Sequence, residues 1–316
     1  MTYSIVALDP ATGDLGVATQ SKFLAVGAVV PWARAGVGAV ATQAFANVGW
    51  GVAALDRLAA RGTGASAEAV LAELVAGDEM RCERQIGIVD AHGGSATHTG
   101  PHCFTWAGGR TGPGFAAQGN ILEGADVVDG LADTFRAGGR PFPELLVACL
   151  TAADAAGGDR RGRESAALLV VRASGGYGGW NDRWIDLRVD HHDDPIGELG
   201  RLLELQHLYF DRPAADELVP IDDATAAEIR THLERLGAVP GGRLEAVFQP
   251  MSGPRDDDAA PRAGIGEARD LPTNWDQCWH RALDDWMAVE NLEERSTTPG
   301  WIDGRVLAIL RERAGG

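Results

Sequence analysis

The sequence is almost without lysine. Lys22 is the only one in 316 residues, and the acidic side chains outnumber all basic ones to leave a formal net charge of −17. That balance argues against nucleic acid and against an anionic membrane surface as the main partner, because both repel an acidic protein. Long hydrophobic runs are missing as well, and no stretch approaches the ~20 apolar residues that span a bilayer. The start of the chain has no basic region followed by an apolar core and a cleavage site, so no secretory signal is expected and the expected compartment is the cytoplasm. Cysteine is scarce: Cys82, Cys103, Cys149 and Cys278 are scattered, with no C-x-x-C pair. Reduced, small buried thiols are the expectation rather than a disulfide framework. With 45% hydrophobic and 23% charged residues, the chain is globular and long enough for one large or two ordinary domains.

What is present begins with the first eight residues, MTYSIVAL. An initiator Met is readily removed when the next residue is as small as Thr, which would leave Thr2 with both a hydroxyl and a free α-amine. An α-amine has a pKa of about 8, so much of it is an available base near neutral pH. Thr2 is therefore a candidate nucleophile that carries its own general base. Residues 3–8 and Leu15–Thr19 are apolar runs around the turn residues of 9–14, a β-hairpin pattern, and Val26–Pro31 and Val37–Thr42 are expected to be further strands. Helical spacing follows over Val52–Leu58 and, with Ser66 as N-cap, over Ala67–Leu74. A second strand set is expected at Gln85–Asp90, Ala96–Thr99, Cys103–Ala107 and Gly114–Gln118. Helices are expected at Ala125–Arg136 and Pro143–Ala155, strands at Ser165–Arg172 and Trp184–Val189, and a closing helix at Leu199–Phe210. This order fits a layered α/β arrangement with mainly antiparallel sheets.

The composition changes near Asp211. Ala224–Leu236 has a helical apolar face, residues 249–272 are rich in Pro, Gly and Asp and read as a linker or long loop, and Asn274–Arg313 is aromatic and helical. Trp275, Trp279, Leu283 and Trp286 recur at near-helical spacing, the pattern of a small helical core. Two domains are expected, residues 1–212 and 213–316.

The stretches TYSIVALDPATGDLGVATQSKFLAVGAVVPWARAGVGAVATQ (2–43), QIGIVD (85–90), QGNIL (118–122) and GGDRRGRESAALLVV (157–171) resemble the N-terminal nucleophile (Ntn) hydrolase superfamily. More closely, they resemble a bacterial and archaeal family of unknown function, DUF1028. The resemblance covers roughly residues 2–210 and implies a four-layer αββα sandwich. NLEER and IDGRVLAIL in the tail resemble a peptidoglycan-binding-like domain sometimes appended to DUF1028 proteins, which implies a small, mainly helical C-terminal module.

If Thr2 attacks a carbonyl, other groups must orient its amine and bind the oxyanion. Laid beside proteasome-type Ntn sequences, LGVATQSK puts Gln20 where those enzymes keep a carboxylate, a departure from their pattern. Ser21 and Lys22 follow it, and the Lys22 ammonium could lower the pKa of the Thr2 amine by like-charge repulsion. Arg34 is a second candidate cation. Gly119-Asn120 can supply a backbone N–H and a side-chain amide to an oxyanion, as can Gln43 and Asn47 at the end of the fourth strand. Asp159 and Arg161 lie in a charged loop just before an apolar strand, where Arg161 could bind a substrate carboxylate or pair with Asp159 or Asp186 within the fold. His92, His98, His102 and Cys103, and His191-His192-Asp193-Asp194, are metal-ligand types without a recognised ligand spacing, so no metal is expected.

The leading expectation is an Ntn-type amidohydrolase. Thr2 would cleave an amide bond of a small or peptide-like substrate through an acyl-enzyme, with no metal or organic cofactor. The alternative is a non-catalytic Ntn-fold protein whose tail binds a cell-wall glycan, such as a peptidoglycan fragment, or a partner subunit. Flat exposed sheets and the Trp-rich tail point to a homodimer.

Overall fold

The computed structural model describes residues 2–64, 66–242, 269 and 271–315. Apart from residues 269, 271 and 272, the expected loop at 249–272 lies outside them.

Every residue of β1 (Thr2–Leu8) and β2 (Leu15–Ser21) is buried. The turn joining them is held by the Asp9 carboxylate, which accepts from the Ala11 N–H and the Thr12 hydroxyl, each at 2.9 Å. Gly13, at φ +79°, takes the left-handed position that closes this turn. The two strands form the middle of a six-stranded antiparallel sheet ordered β10-β9-β2-β1-β8-β7. Its other members are β7 (Gly108–Gly112), β8 (Phe115–Asn120), β9 (Ser165–Val171) and β10 (Arg183–Val189). A second antiparallel sheet runs β3 (Pro31–Arg34), β4 (Gly38–Ala44), β5 (Arg84–Asp90), β6 (Ser95–Thr99).

Strand alternation sends successive side chains to opposite faces, and the apolar clusters follow it. Tyr3, Ile5 and Ala7 pack with α3 (Asp126–Ala137) and α4 (Phe142–Ala155), where Leu131, Leu146 and Leu150 are fully buried. Val6 and Leu8 face the other way and meet Ala39, Ala41 and Val89 of the second sheet. The outer face of that sheet, Val40, Ile86 and Ile88, is covered by Leu55 and Leu58 of α1 (Gly49–Arg61) and Val70 and Leu74 of α2 (Ala67–Ala76). Ser66 caps α2, accepting from the Ala69 N–H at 3.3 Å. Helix pair, sheet, sheet and helix pair thus make the expected α/β sandwich. Among the described residues two expected strands fall elsewhere. Val26–Ala28 is a 3₁₀ turn in which Gly27 packs close to Ala167 and Arg188 while Val26 and Val30 fill the space between the sheets, and the strand begins only at Pro31. The segment expected at Cys103–Ala107 pairs five residues later as β7, GGRTG, whose lack of apolar residues leaves no periodic signal.

By contact density the chain divides into Met1–Leu203 and Glu204–Gly316, within α5 (Pro195–Phe210). In the second unit α6 (Asp223–Arg235), α7 (Gln277–Val289) and α8 (Gly304–Gly315) enclose Ile229, Leu233, Leu283 and Leu307 together with Trp275 and Trp286. The tryptophan stripe is core. A short pair, β11 (Leu218–Pro220) with β12 (Trp301–Asp303), carries Asp303 beside the buried Arg295. Arg295 also donates to Glu217 Oε2 at 2.9 Å and to the carbonyls of His207 and Asp211, each at 3.3 Å.

Candidate active site

Thr2 ends the strand flanked by β2 and β8, and its cross-strand partners are Ser21 and Asn120. Its side chain is on the inter-sheet face with Ser4 and Val6, and its Oγ1 lies 3.0 Å from Ser21 Oγ. The Phe23 N–H donates to Ser21 Oγ at 3.1 Å, which fixes that oxygen in place. Thr2 is 6% exposed.

Along this inter-sheet layer the chemistry changes from apolar to amide. Behind Thr2, Ser4 donates to Gln43 Oε1 and accepts from Gln118 Nε2, each at 2.6 Å. Gln43 Nε2 donates to the Thr2 carbonyl at 3.2 Å and to Gln85 Oε1 at 2.8 Å. Gln85 Oε1 also accepts from Asn120 Nδ2 at 2.8 Å, and Gln85 Nε2 donates to the Gly119 carbonyl at 2.7 Å. All five side chains are buried, so each bond replaces one that water would have made. Gly87 leaves the room this needs, since a Cβ there would stand 2.1 Å from Gln118 Oε1. None of these groups carries a charge.

A charge does lie just past the end of β1. Asp159 Oδ2 accepts from the Lys22 N–H at 3.1 Å, and Asp159 forms a bridge with Leu122. Lys22 is one residue past Ser21 and Leu122 two past Asn120, so Asp159 joins the segments that leave the two flanking strands just ahead of Thr2. Its Oδ1 accepts from the Arg161 N–H at 2.9 Å, and Arg161 Nη2 is 3.5 Å from Oδ2. The Asp159 side chain is fully buried while that of Arg161 is about half exposed.

A cavity of about 430 Å³ opens beside these residues, lined by Asn120, Ile121, Phe104, Phe45, Met80 and Arg161 among others. Ala44 and Ile121, both in its wall, have positive φ (66° and 54°), a conformation costly for alanine and more so for a β-branched residue. Each directly follows a residue of the amide network. Cys103 also lines the cavity, but burial pushes its thiol pKa up, which keeps it protonated and a poor nucleophile near neutral pH.

Among the residues expected at the site, Thr2, Ser21, Asn120, Asp159 and Arg161 come together. Gln20 does not: it neighbours Ser21, so alternation turns it to the helix-facing side with Tyr3 and Ala18. There the Gln20 amide and the Tyr3 hydroxyl have no hydrogen-bond partner among the described residues, and burial raises the Tyr3 pKa well above its ordinary value. Gln43 is near Thr2, where it holds the Thr2 backbone carbonyl and is not among the residues that line the cavity. Asn47 serves a turn, donating to Asp78 Oδ2 at 3.0 Å and accepting from the Gly49 N–H at 3.1 Å. Burial works to raise the Asp78 pKa, yet Asn47, the Met80 N–H and Arg84 together hold it below the ordinary value. The Lys22 ammonium turns to Glu164 Oε2 at 2.7 Å and the Arg163 carbonyl at 3.0 Å, and Arg34 pairs with Asp56. The histidines are dispersed, His98 to the Arg81 carbonyl, His102 to Glu83 and His191 to Glu164. Among the described residues no group of three His, Cys, Asp or Glu could hold a metal ion. Gln85, Gln118, Phe45 and Phe104 were not anticipated. The signal for the two glutamines was a polar residue at an inward strand position, Gln85 on the face of Val89 and Gln118 on that of Ala116.

The model of a family described as "Family of unknown function (DUF1028)" matches residues 2–199. One described as "Putative peptidoglycan binding domain" matches residues 264–310. The crystal structure of protein SPO2555 from Silicibacter pomeroyi, itself matched by the DUF1028 model, is 31% identical, with a TM-score of 0.59 over 65% of this chain and 89% of that one. No curated protein matches the chain.

Proposed function

The chain belongs to the DUF1028 family, and from that premise we propose that it is an amide hydrolase of the Ntn type with Thr2 as nucleophile. The observation that carries the reading is the position of Thr2: its hydroxyl meets Ser21 Oγ at 3.0 Å at a strand end, and its other cross-strand partner, Asn120, lines a cavity.

In this reading removal of Met1 frees the Thr2 α-amine. Thr2 Oγ1 attacks the substrate carbonyl and its proton passes to that amine, with Ser21 relaying it or aligning the hydroxyl. The ammonium formed is stabilised by Asp159, which supplies the carboxylate expected at position 20. The oxyanion is bound by Asn120, whose Nδ2 carries a second hydrogen beyond the one given to Gln85. The C–N bond breaks as the ammonium returns its proton to the leaving amine. Water, deprotonated by the same amine, then releases the acid from the Thr2 ester. Such donors, held by a network that does not have to move, are what electrostatic stabilisation of an oxyanion requires.

The test combines two measurements. Intact mass should show Met1 absent, and Thr2→Ala should abolish hydrolysis of any amide that the wild-type protein cleaves. Activity retained in Thr2→Ala would remove the proposal.

A second reading, a non-catalytic protein whose C-terminal unit binds cell-wall glycan, is favoured by the match at residues 264–310. Co-sedimentation with insoluble peptidoglycan, lost on deleting residues 213–316, is the result it requires.

A further inference from the structure

The cavity beside Asn120 has a composition that restricts what it can hold. Its volume, about 430 Å³, is near the lower end of ligand sites and suits one amino-acid-sized group, not an extended chain. Phe104 and Phe45 in its wall are 75% and 63% exposed, and Met80 is 42% exposed. Apolar side chains left open to water around one concavity mark a binding surface. Phe45 is also fixed in place: the buried Arg84 guanidinium lies 5.2 Å from its ring centre and donates to its carbonyl. Beside these apolar walls stands Arg161, which lines the cavity with Glu83 and His102; its backbone is clamped by buried Asp159 and its guanidinium lies 3.5 Å from that carboxylate. A planar guanidinium at the mouth of an apolar pocket selects a carboxylate.

Resting on the hydrolase reading above, we propose that the substrate is an N-acylated amino acid with an apolar, aromatic-sized side chain. Phe45, Phe104 and Met80 receive that side chain, and Arg161 receives the free carboxylate. The scissile acyl carbonyl is then one amide bond away from the seated group, on the side of Asn120 and Thr2. The strained Ala44 and Ile121 backbones shape the wall between the amide network and the pocket.

The experiment is titration calorimetry on the Thr2→Ala protein, so that binding is read without turnover. The probes are N-acetyl-L-phenylalanine, its uncharged carboxamide, and N-acetylglycine. N-acetyl-L-phenylalanine should bind about tenfold tighter than its carboxamide, the ratio expected of one charge-assisted contact. Arg161→Gln should erase that ratio, and Phe104→Ala should weaken both phenylalanine probes by about fivefold. Equal affinity for acid and carboxamide, tighter binding of N-acetylglycine, or no saturable binding overturns the assignment. The ligand comparison on the unmutated pocket decides this even if a pocket variant misfolds. Tight binding without hydrolysis by the wild-type protein would remove the hydrolase reading and leave the pocket assignment standing. A Thr2 that reacts with a β-lactone in a protein that binds none of the probes would do the reverse.

Discussion

Two buried polar clusters in this protein solve the same problem with opposite chemistry. Under Thr2, the side chains of Ser4, Gln43, Gln85, Gln118 and Asn120 satisfy one another without a formal charge. In the C-terminal unit, Arg295 is 1% exposed and is matched by Asp303 and Glu217, with Arg305 adding a 2.8 Å contact to Glu217. Ion pairs fix a fold at the cost of desolvation and make its stability depend on pH. Amides fix geometry while leaving the local field unset, so in the hydrolase reading proposed above the charge that acts on Thr2 comes from its own amine and from Asp159. In that reading, a nucleophile that supplies its own base is better served by the amide network.

The largest effect that separates the clusters is expected on breaking the charged one. Arg295→Ala strands the buried Asp303 carboxylate, while the partly exposed Glu217 keeps Arg305, and should cost about 3–5 kcal/mol of C-terminal-unit stability. Denaturant unfolding should show that loss, while reaction of Thr2 with an electrophile is unchanged. Loss of Thr2 reactivity in this variant would show the clusters to be coupled. Gln85→Leu comes next. It leaves the Gln43 and Asn120 amides without their shared acceptor and should cost roughly 1–3 kcal/mol for each group. Here Thr2 reactivity should fall along with stability, and a variant that loses stability alone would deny the network its role.

A pH titration sharpens the contrast. The Ala214 N–H, with Arg305 and Arg295, outweighs burial and holds the Glu217 carboxyl below its ordinary value. A carboxyl with a depressed folded-state pKa contributes stability that is complete above its unfolded value, about 4.3, and is lost as pH falls through the folded one. Thermal melting from pH 6 to 3 should therefore show an acid-side loss that Glu217→Gln flattens. An unchanged acid limb in that variant would contradict the assignment.

The smallest effect is expected at Gln20, whose amide is buried opposite Tyr3 with no partner among the described residues. Gln20→Met combined with Tyr3→Phe removes the unmatched atoms at nearly constant volume, so stability should stay level or rise by about 1 kcal/mol. A loss of several kcal/mol on unfolding would mean that the pair has a partner, such as a buried water, that the variant displaces.

Much of the first unit was legible because its signals are local. The 2-residue period of TYSIVAL and LGVATQS, the Ser66 cap, and the apolar stripe of Leu145, Leu146, Cys149 and Leu150 each report their element directly. The helix-facing or sheet-facing sense of a strand residue is a tertiary fact. In β2 a one-residue difference separates Ser21, beside Thr2, from Gln20, behind the sheet. Similarly, β7 has no apolar residue to announce it, and the meeting of Gln85 with Asn120 joins segments 35 residues apart across two sheets. Asp159 was visible as a charge before a buried strand, but its place ahead of Thr2 depends on where the chain goes after β2 and β8 end beside Thr2.

The most direct test of the central claim is to treat the purified protein with a β-lactone and map the adduct by peptide mass spectrometry. The prediction is a chain that begins at Thr2 and carries a single stoichiometric ester on the Thr2 hydroxyl, absent from protein in which Met1 still precedes Thr2. An adduct confined to another residue, or a fully reactive protein that still carries Met1, would contradict it.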